Sequence, residues 1–283
     1  YIMSTRQKSI AKMGRREFLG ASIASTIAAT ATGVQAKPNK KKTVNDLPYN
    51  PRTHLAMPTR NLGKTGYQVG ILSLGAQATV EIKGREKDAV DIVNRAIDLG
   101  VNYIDTAASY GGGASEIHVG MVMKDRRNEV WLSSKTHDRT YDGSMKLLEK
   151  SLKQLQTDHL DTWQLHNVKR QDEVDKIFAP DGALKALIKA KEEGMVRCLG
   201  ITGHYEPLIL RQCLDRFDFD TILMAINAAD PHYLSFKKWL LPYAQQKGLG
   251  IIGMKLATRG RMLNCWTPPP LEEQPERMAT TLP

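Results

Sequence analysis

The feature that most constrains the fold is a repeated alternation that begins at Met57. Short apolar runs typical of buried strands alternate with longer runs whose apolar residues recur at helical spacing. Strands are predicted near residues 69–74, 102–106, 130–134, 160–165, 198–202, 221–226 and 249–254. Helices are predicted over Asp88–Leu99, Ser115–Met123, Gly143–Gln156, Ala183–Glu193, Glu206–Arg216 and Leu234–Lys247. Gly100, Gly194 and Gly248 follow three of these helices, where a left-handed cap is expected. Repeated strand–helix units of this kind build a parallel sheet.

Two architectures satisfy this alternation, because right-handed crossovers produce either a doubly wound open sheet or a closed barrel. Periodicity alone does not choose between them. A short hairpin is predicted from Thr59 to Val69, turning at residues 63–66, and it has the size of a plug across the bottom of a barrel. The 283 residues, 41% of them hydrophobic, suffice for one large core. We therefore predict one catalytic domain over residues 57–283.

Residues 1–36 have the pattern of a twin-arginine export signal. Arg15-Arg16 is followed by Phe18-Leu19, by a mildly apolar run, and by residues 34–36, which fit a small-residue cleavage site. The apolar run is too short and too polar to span a bilayer. A disordered basic tail is the alternative interpretation. The pattern predicts export of the folded protein by the twin-arginine machinery to the periplasm or another extracytoplasmic space, with no stable membrane anchor after cleavage.

The net charge of +10 is concentrated ahead of the predicted domain. Residues 37–56, which contain three prolines and the run Lys40-Lys41-Lys42, are predicted to form an extended linker. The rest of the chain is nearly balanced in charge, so nucleic acid is not expected as a partner. Cys198, Cys213 and Cys265 are an odd number without a CxxC pair, and the histidines show no paired ligand spacing. Neither a disulfide framework nor a metal site is predicted.

Polar side chains follow three successive predicted strands at their C-terminal ends. Asp105 and Tyr110 follow the second strand, Lys135 the third and His166 the fourth. Because a parallel barrel gathers these strand ends at one rim, the four groups are predicted to converge. Taken singly, they are explained as a helix cap, a loop aromatic, a surface charge and a core histidine. Their joint placement favours a catalytic site.

These residues resemble the catalytic tetrad of the aldo-keto reductase family. The segment Asp105-Thr106-Ala107-x-x-Tyr110, then Lys135, then His166 occur in the family's order and with similar gaps. The resemblance extends over roughly residues 57–263 and includes the stretches at 60–66 and 199–203. It implies a (β/α)8 TIM barrel with a hairpin plug. It also implies hydride transfer between NADPH, or alternatively NADH, and a small carbonyl or alcohol substrate.

The chemistry of such a tetrad can be argued from the residue types. A free tyrosine titrates at about 10, so proton donation near neutral pH needs a neighbour that stabilises the phenolate. Lys135 supplies a positive charge, and Asp105 holds the lysine charged and oriented. Tyr110 then protonates the carbonyl oxygen as hydride arrives. His166 orients that oxygen or relays a proton, and no metal is required.

Cofactor and pocket residues follow from the same resemblance. Thr202 matches a position that holds the nicotinamide carboxamide, although Gly203 replaces the usual asparagine, and His204 is then predicted to line the substrate pocket. Asn227 is carried over as a cofactor contact beside a missing family glutamine. Lys255 is predicted to approach the pyrophosphate, with an exposed lysine as the equal alternative. Residues 111–113 are three glycines that do not follow a strand directly, so they predict a flexible lip rather than a dinucleotide fingerprint.

The pattern supplies seven barrel strands. No further helix, eighth strand or closing helix is recognised before Pro283, so we predict a barrel truncated after strand seven, with impaired NADPH binding. Two other functions remain open. One is a non-catalytic nicotinamide-binding barrel acting as a redox sensor or binding subunit, and the other is a barrel isomerase or lyase. An intact tetrad favours the reductase, because a sensor needs no proton donor.

Overall fold

The computed structural model describes residues 46–257. Within this range the strands are β1 (Thr59–Asn61), β2 (Gln68–Gly70), β3 (Leu74–Gly75), β4 (Tyr103–Asp105), β5 (Trp131–Thr136), β6 (Leu160–Leu165), β7 (Val196–Gly203), β8 (Thr221–Ala225) and β9 (Gly250–Met254). The α-helices are α1 (Thr53–Ala56), α2 (Glu86–Asp98), α3 (Ala114–Arg126), α4 (Tyr141–Gln154), α5 (Gln171–Ile177), α6 (Ala183–Glu192), α7 (Pro207–Arg216), α8 (Phe236–Trp239) and α9 (Leu241–Gln246). The predicted signal (1–36), the start of the predicted linker (37–45), Cys265 and the predicted truncated end (258–283) lie outside the described residues.

Strands β3 to β9 form one parallel sheet, and their order in the sheet follows their order in the chain. A doubly wound sheet reverses direction at a switch point, so its strand order is not sequential. A sequential order with helical connections is that of a β/α barrel. The structure therefore decides between the two predicted architectures, and the barrel is confirmed.

Two apolar clusters lie on opposite faces of the sheet. The larger one packs alternate strand residues, such as Ile104, Leu132 and Leu165, against the helices. The smaller one lies on the other face and contains Tyr103 and Trp131. Since successive strand residues point to opposite faces, Tyr103, Asp105 and their equivalents on neighbouring strands face the barrel interior. The polar strand-end residues therefore belong to the interior set.

The hairpin of β1 and β2 covers the N-terminal end of the barrel. Leu62 and Tyr67 lie in its turn and pack against Tyr103 and Trp131, which are the first residues of β4 and β5. The Tyr67 hydroxyl donates to the carbonyl of Asn102 at 2.8 Å. Gly63 has a positive φ, and a Cβ there would lie 2.1 Å from the backbone nitrogen of Gly250. Only glycine can therefore hold this close approach between the turn and β9.

The position of the first predicted barrel strand is wrong. Residues 69–70 belong to β2, and the barrel strand β3 comprises only Leu74–Gly75. Ile71 and Leu72 lie between the two strands and are exposed. The apolar run thus continues through the boundary, so hydrophobicity could not place it.

Two helix predictions also need correction. The helix predicted over 234–247 is divided into α8 and α9, because Pro242 cannot donate the backbone hydrogen bond that a continuous helix requires. Helix α5 was not predicted. Its acidic first turn was the available signal, since Glu173 accepts from the backbone N–H groups of Lys169 and Arg170.

Residues 46–56 contact the barrel rather than forming the end of an extended linker. The Asn50 amide donates to the carbonyl of Ile97 at 2.8 Å, and the Thr53 hydroxyl donates to that of Gly100 at 2.8 Å. These bonds hold the segment against carbonyls at the C-terminal end of α2 and just beyond it. The prolines in this segment favoured an extended chain, but the buried polar side chains fix it in place. No helix within residues 46–257 combines the length and the apolar character that crossing a membrane requires.

Candidate active site

A buried ion pair lies at the C-terminal end of the barrel. Lys135 is on β5 and is 1% exposed. Its Nζ donates to Asp105 Oδ2 at 2.6 Å and to the carbonyl of Thr106 at 2.6 Å. A buried ammonium requires such partners, because leaving water without them costs several kcal/mol or more. The alternative interpretation of Lys135 as a surface charge is therefore wrong.

Tyr110 lies above this ion pair. The Lys135 Nζ is 4.8 Å from the centroid of the Tyr110 ring. The tyrosine begins a 3-10 turn that ends at Gly113, and all three of its glycines have positive φ values. A Cβ on Gly111 would lie 2.1 Å from the carbonyl oxygen of Glu81. Glycine is therefore required at this position of the turn that carries Tyr110.

His166 completes the group of four. It directly follows β6, and its ring meets the ring of Tyr110 edge-on with 5.7 Å between centroids. Its Nδ1 is 3.4 Å from the Ser109 hydroxyl. The structure thus brings Asp105, Tyr110, Lys135 and His166 together at one rim.

The electrostatics of Tyr110 differ from the expectation. Burial raises the pKa of Tyr110 above its ordinary value and outweighs the lowering by Lys135. The expected acidification is therefore present as one contribution, but the net direction is upward. For Lys135, burial opposes the charge, yet Asp105 and Tyr110 raise its pKa above the ordinary value.

The pKa of His166 shifts in the opposite direction. Burial, followed by the nearby charges of Lys135 and His204, lowers the pKa of His166 to about 3. The imidazole is therefore neutral at physiological pH. One of its ring nitrogens can donate a hydrogen bond and the other can accept one.

Thr202 and Asn167 join the neighbouring strand ends. The Thr202 hydroxyl accepts from the backbone N–H of Asn167 at 2.9 Å, and the Thr202 carbonyl accepts from that of Val168. Asn167 has a left-handed φ of 53°. Its side-chain Oδ1 is buried, and no hydrogen-bond partner for it exists among residues 46–257. Sequence reasoning assigned Asn167 no role, although its place directly after His166 was a usable signal.

The other predicted binding residues occupy the same rim. His204 directly follows β7, is half-buried, and its ring centroid is 6.3 Å from that of Tyr205. Asn227 follows β8, where its Oδ1 accepts from the backbone N–H of Ala229 at 2.9 Å. Lys255 follows β9 with a left-handed φ of 59°. Because the strands are parallel, these residues lie at the same end of the barrel as the tetrad, and their binding roles remain predictions.

Gln164 is a second residue that sequence reasoning missed. It lies on β6, two residues before His166, and is fully buried. Its Nε2 donates to Asp105 Oδ1 at 2.9 Å and to the Ser133 hydroxyl at 2.5 Å. The signal was a polar residue inside a buried strand on the same face as His166. Within residues 46–257, no cluster of three or more His, Cys, Asp or Glu side chains is arranged to hold a metal ion.

Comparison with known proteins identifies the family of this chain. The sequence profile described as Aldo/keto reductase family matches residues 69–269. The chain belongs to the aldo/keto reductase family. It is accordingly an oxidoreductase.

The relatives that this chain resembles are oxidoreductases by name. It is 28% identical to the uncharacterized oxidoreductase YqkF of Bacillus subtilis, over 78% of this chain and 71% of that protein. It is 33% identical to L-galactose dehydrogenase of Arabidopsis thaliana, over 68% of this chain and 63% of the plant enzyme.

Solved structures show the same fold. Aldo-keto reductase AKR11C1 from Bacillus halodurans, in its holo form, is 27% identical and gives a TM-score of 0.63 over 76% of this chain and 71% of that structure. An aldo-keto reductase from Klebsiella pneumoniae in complex with NADPH is 25% identical and gives a TM-score of 0.57 over 71% of this chain and 69% of that one.

Proposed function

We propose that this chain is an NADPH-dependent oxidoreductase that reduces a carbonyl to an alcohol, or catalyses the reverse reaction, with Tyr110 as the proton donor. The observation that carries the proposal is the buried ammonium of Lys135, held by Asp105 at 2.6 Å and lying 4.8 Å from the ring centroid of Tyr110. An ammonium buried beside a phenol stabilises negative charge on that phenol, which is what proton donation creates.

Tyr110 suits the role of a general acid. Because burial raises the pKa of Tyr110, the phenol holds its proton at neutral pH before the reaction. As the proton leaves, the developing phenolate is stabilised by Lys135. Asp105 keeps the lysine in place through both states. In the reverse direction the same pair accepts the alcohol proton.

His166 serves as the orienting group. Its ring is neutral because its pKa is lowered to about 3. A neutral imidazole beside the phenol can donate a hydrogen bond to the substrate oxygen and direct that oxygen towards Tyr110. It does not compete with Tyr110 as an acid.

The residues around Thr202 fit a nicotinamide. A bound NADPH supplies the hydride, as the complex formed by the Klebsiella pneumoniae relative supports. The buried Asn167 Oδ1 is an acceptor beside Thr202, and a carboxamide N–H is a matching donor. Asn227 and Lys255 are proposed as further contacts to the nucleotide, and NADH is the alternative cofactor.

The proposed substrate is a small aldehyde, ketone or sugar-like carbonyl, and His204 lines its pocket. Similarity to an L-galactose dehydrogenase supports including sugars in this class. Export through the signal at residues 1–36 is proposed as well, with the periplasm as the destination. The sensor alternative is not favoured, because cofactor binding alone does not need the buried Lys135–Asp105 pair.

The test is oxidation of NADPH by the purified full chain with a panel of aldehydes, ketones and sugars, compared with NADH. We expect turnover by the parent and loss of kcat by at least about a hundredfold in Tyr110→Phe, the size typical of a lost general acid. Binding of NADPH should persist in that variant. Parental kcat in Tyr110→Phe would contradict the role of Tyr110. A parent that binds NADPH and turns over no carbonyl would support the sensor instead.

A further inference from the structure

Asp105 has two carboxylate oxygens, and each has its own partner. Oδ2 accepts from Lys135, while Oδ1 accepts from the Gln164 amide at 2.9 Å. The same amide nitrogen donates to Ser133 on the intervening strand at 2.5 Å. Gln164 therefore contacts the carboxylate on the side opposite the lysine.

The orientation of the Gln164 amide is determined by its neighbour. An ionised carboxylate only accepts hydrogen bonds, so the group facing Asp105 must be the NH₂ and not the carbonyl. The Gln164 side chain is fully buried, and its Oε1 has no hydrogen-bond partner within residues 46–257. A buried acceptor without a partner costs free energy. Residues that serve packing alone have no reason to carry that cost.

The neighbouring strand leaves room for this side chain. Gln164 pairs with Gly200 on β7, and a Cβ on Gly200 would lie 2.8 Å from Gln164 Cγ and 2.5 Å from Thr221 Oγ1. Gly200 has no positive φ that would call for glycine on backbone grounds. Its missing side chain is explained by the space that Gln164 and Thr221 occupy.

We propose that Gln164 is a positioning residue of the active site, whose amide fixes the Asp105 carboxylate so that it holds Lys135 beneath Tyr110. This inference rests on the proposed reductase function. Gln164 acts through Asp105 and has no contact with the reacting atoms.

Two substitutions test it in the full chain with NADPH and a carbonyl that the parent reduces. Gln164→Leu keeps the approximate volume and removes the donor. We expect kcat to fall roughly tenfold, as for loss of a hydrogen bond to a charged group, while KM for the carbonyl changes little.

Gln164→Glu separates positioning from packing. Its new carboxylic acid can donate to Asp105 only while protonated, and the adjacent carboxylate raises its pKa above the ordinary glutamate value of about 4.3. The ratio of its kcat to the parental kcat should be near one at low pH. It should fall to the Gln164→Leu level or below it as the pH rises, because the ionised carboxylate donates no hydrogen bond and repels Asp105. A packing role alone predicts that Gln164→Leu and the protonated Gln164→Glu have the same kcat.

Thr162→Val is the matched control. Thr162 lies two residues earlier on the same face of β6 and accepts from the indole N–H of Trp131 at 2.8 Å, away from Asp105. Its kcat and pH profile should follow the parent, even if its melting temperature falls.

The outcomes are distinct. If the parental chain reduces no carbonyl, the proposed function is contradicted. An active parent with an unaffected Gln164→Leu, or with a Gln164→Glu profile parallel to the parental one, defeats the positioning role alone. If Gln164→Leu does not fold, the isosteric Gln164→Glu decides by its pH profile.

Discussion

At the scale of single residues, the stability of the site depends on the buried ammonium of Lys135. Lys135 is more deeply buried than its carboxylate partner, whose side chain is 13% exposed. Removing one member of a buried ion pair leaves an uncompensated charge and costs roughly 3–5 kcal/mol, whereas replacing both by apolar residues can be nearly neutral. The ion pair is therefore costly to break from one side.

The cost of breaking the pair from one side gives a prediction for a single and a double variant. Asp105→Leu should be strongly destabilised, because the ammonium of Lys135 remains buried without its carboxylate. The double variant Asp105→Leu/Lys135→Met should regain part of that loss, about 2 kcal/mol or more. Urea unfolding of the two variants and the parent measures the difference. A double variant no more stable than Asp105→Leu would contradict a dominant buried charge.

The residues of the tetrad could be predicted because each is a polar group at a strand end. Gln164 and Asn167 carried weaker signals, a polar residue inside a buried strand and a polar residue next to His166, and neither signal showed what the side chain does. Their importance comes from partners on other strands, Asp105 and Thr202, which no spacing along the chain reveals. The upward pKa direction of Tyr110 was also hidden, because burial is a property of the fold and not of the residue type.

At the scale of elements, helix α4 begins with a side-chain cap that the sequence contains. The Thr140 hydroxyl accepts from the backbone N–H of Gly143 at 3.1 Å. It thereby satisfies one of the N–H groups that a helix start leaves without a partner. Helix α4 follows the strand that carries Lys135, so its start lies close to the catalytic rim.

We predict that Thr140→Ala lowers the free energy of unfolding by about 1 kcal/mol. Thr140→Ser retains the hydroxyl and should lose a few tenths at most. Urea denaturation compares the two variants. Equal losses in both would mean that the methyl group of Thr140, and not its hydroxyl, stabilises this helix start.

Element boundaries were predictable where a residue type marks them. Gly100, Gly194 and Gly248 all have the expected positive φ values. The error at β3 arose because apolar residues continue past Gly70, which ends β2 and was the one signal of the boundary. Pro242 signals the break between α8 and α9, but the helical periodicity on both sides of it favoured one continuous helix.

At the scale of the whole molecule, His166 links the site to acid stability. Its pKa is lowered from 6.5 to about 3 in the folded chain. Below pH 6.5 the His166 imidazole therefore binds a proton in the unfolded chain but not in the folded chain. Stability is complete above that pH and declines as the pH falls towards 3.

The resulting prediction concerns the slope of stability with pH. Between pH 6.5 and 5, the parent should lose roughly 2 kcal/mol through His166, on the basis of 1.36 kcal/mol per pKa unit. In His166→Asn this contribution disappears, so the decline should be shallower. Parallel slopes in His166→Asn and the parent would rule out a strongly depressed pKa.

The architecture could be predicted as far as repeated strand–helix units, but periodicity did not separate a barrel from an open sheet. The strand-end polar residues favoured the barrel, because a parallel barrel gathers such strand ends at one rim. The sequential strand order then decided it. Contacts between distant segments, such as those of residues 46–56 with the end of α2, lay beyond any local pattern.

The contact between the hairpin turn and β9 has a consequence for the rate of folding. Gly63 lies against Gly250, so the hairpin, which is the first supersecondary unit of the described chain, completes its contacts with the barrel only when the last described strand has been synthesised. Contacts between segments so far apart are slow to form, because a long loop must close before they contribute. During synthesis, Leu62 and Tyr67 emerge long before β9 does, and the floor of the barrel is therefore a late step in the maturation of the protein.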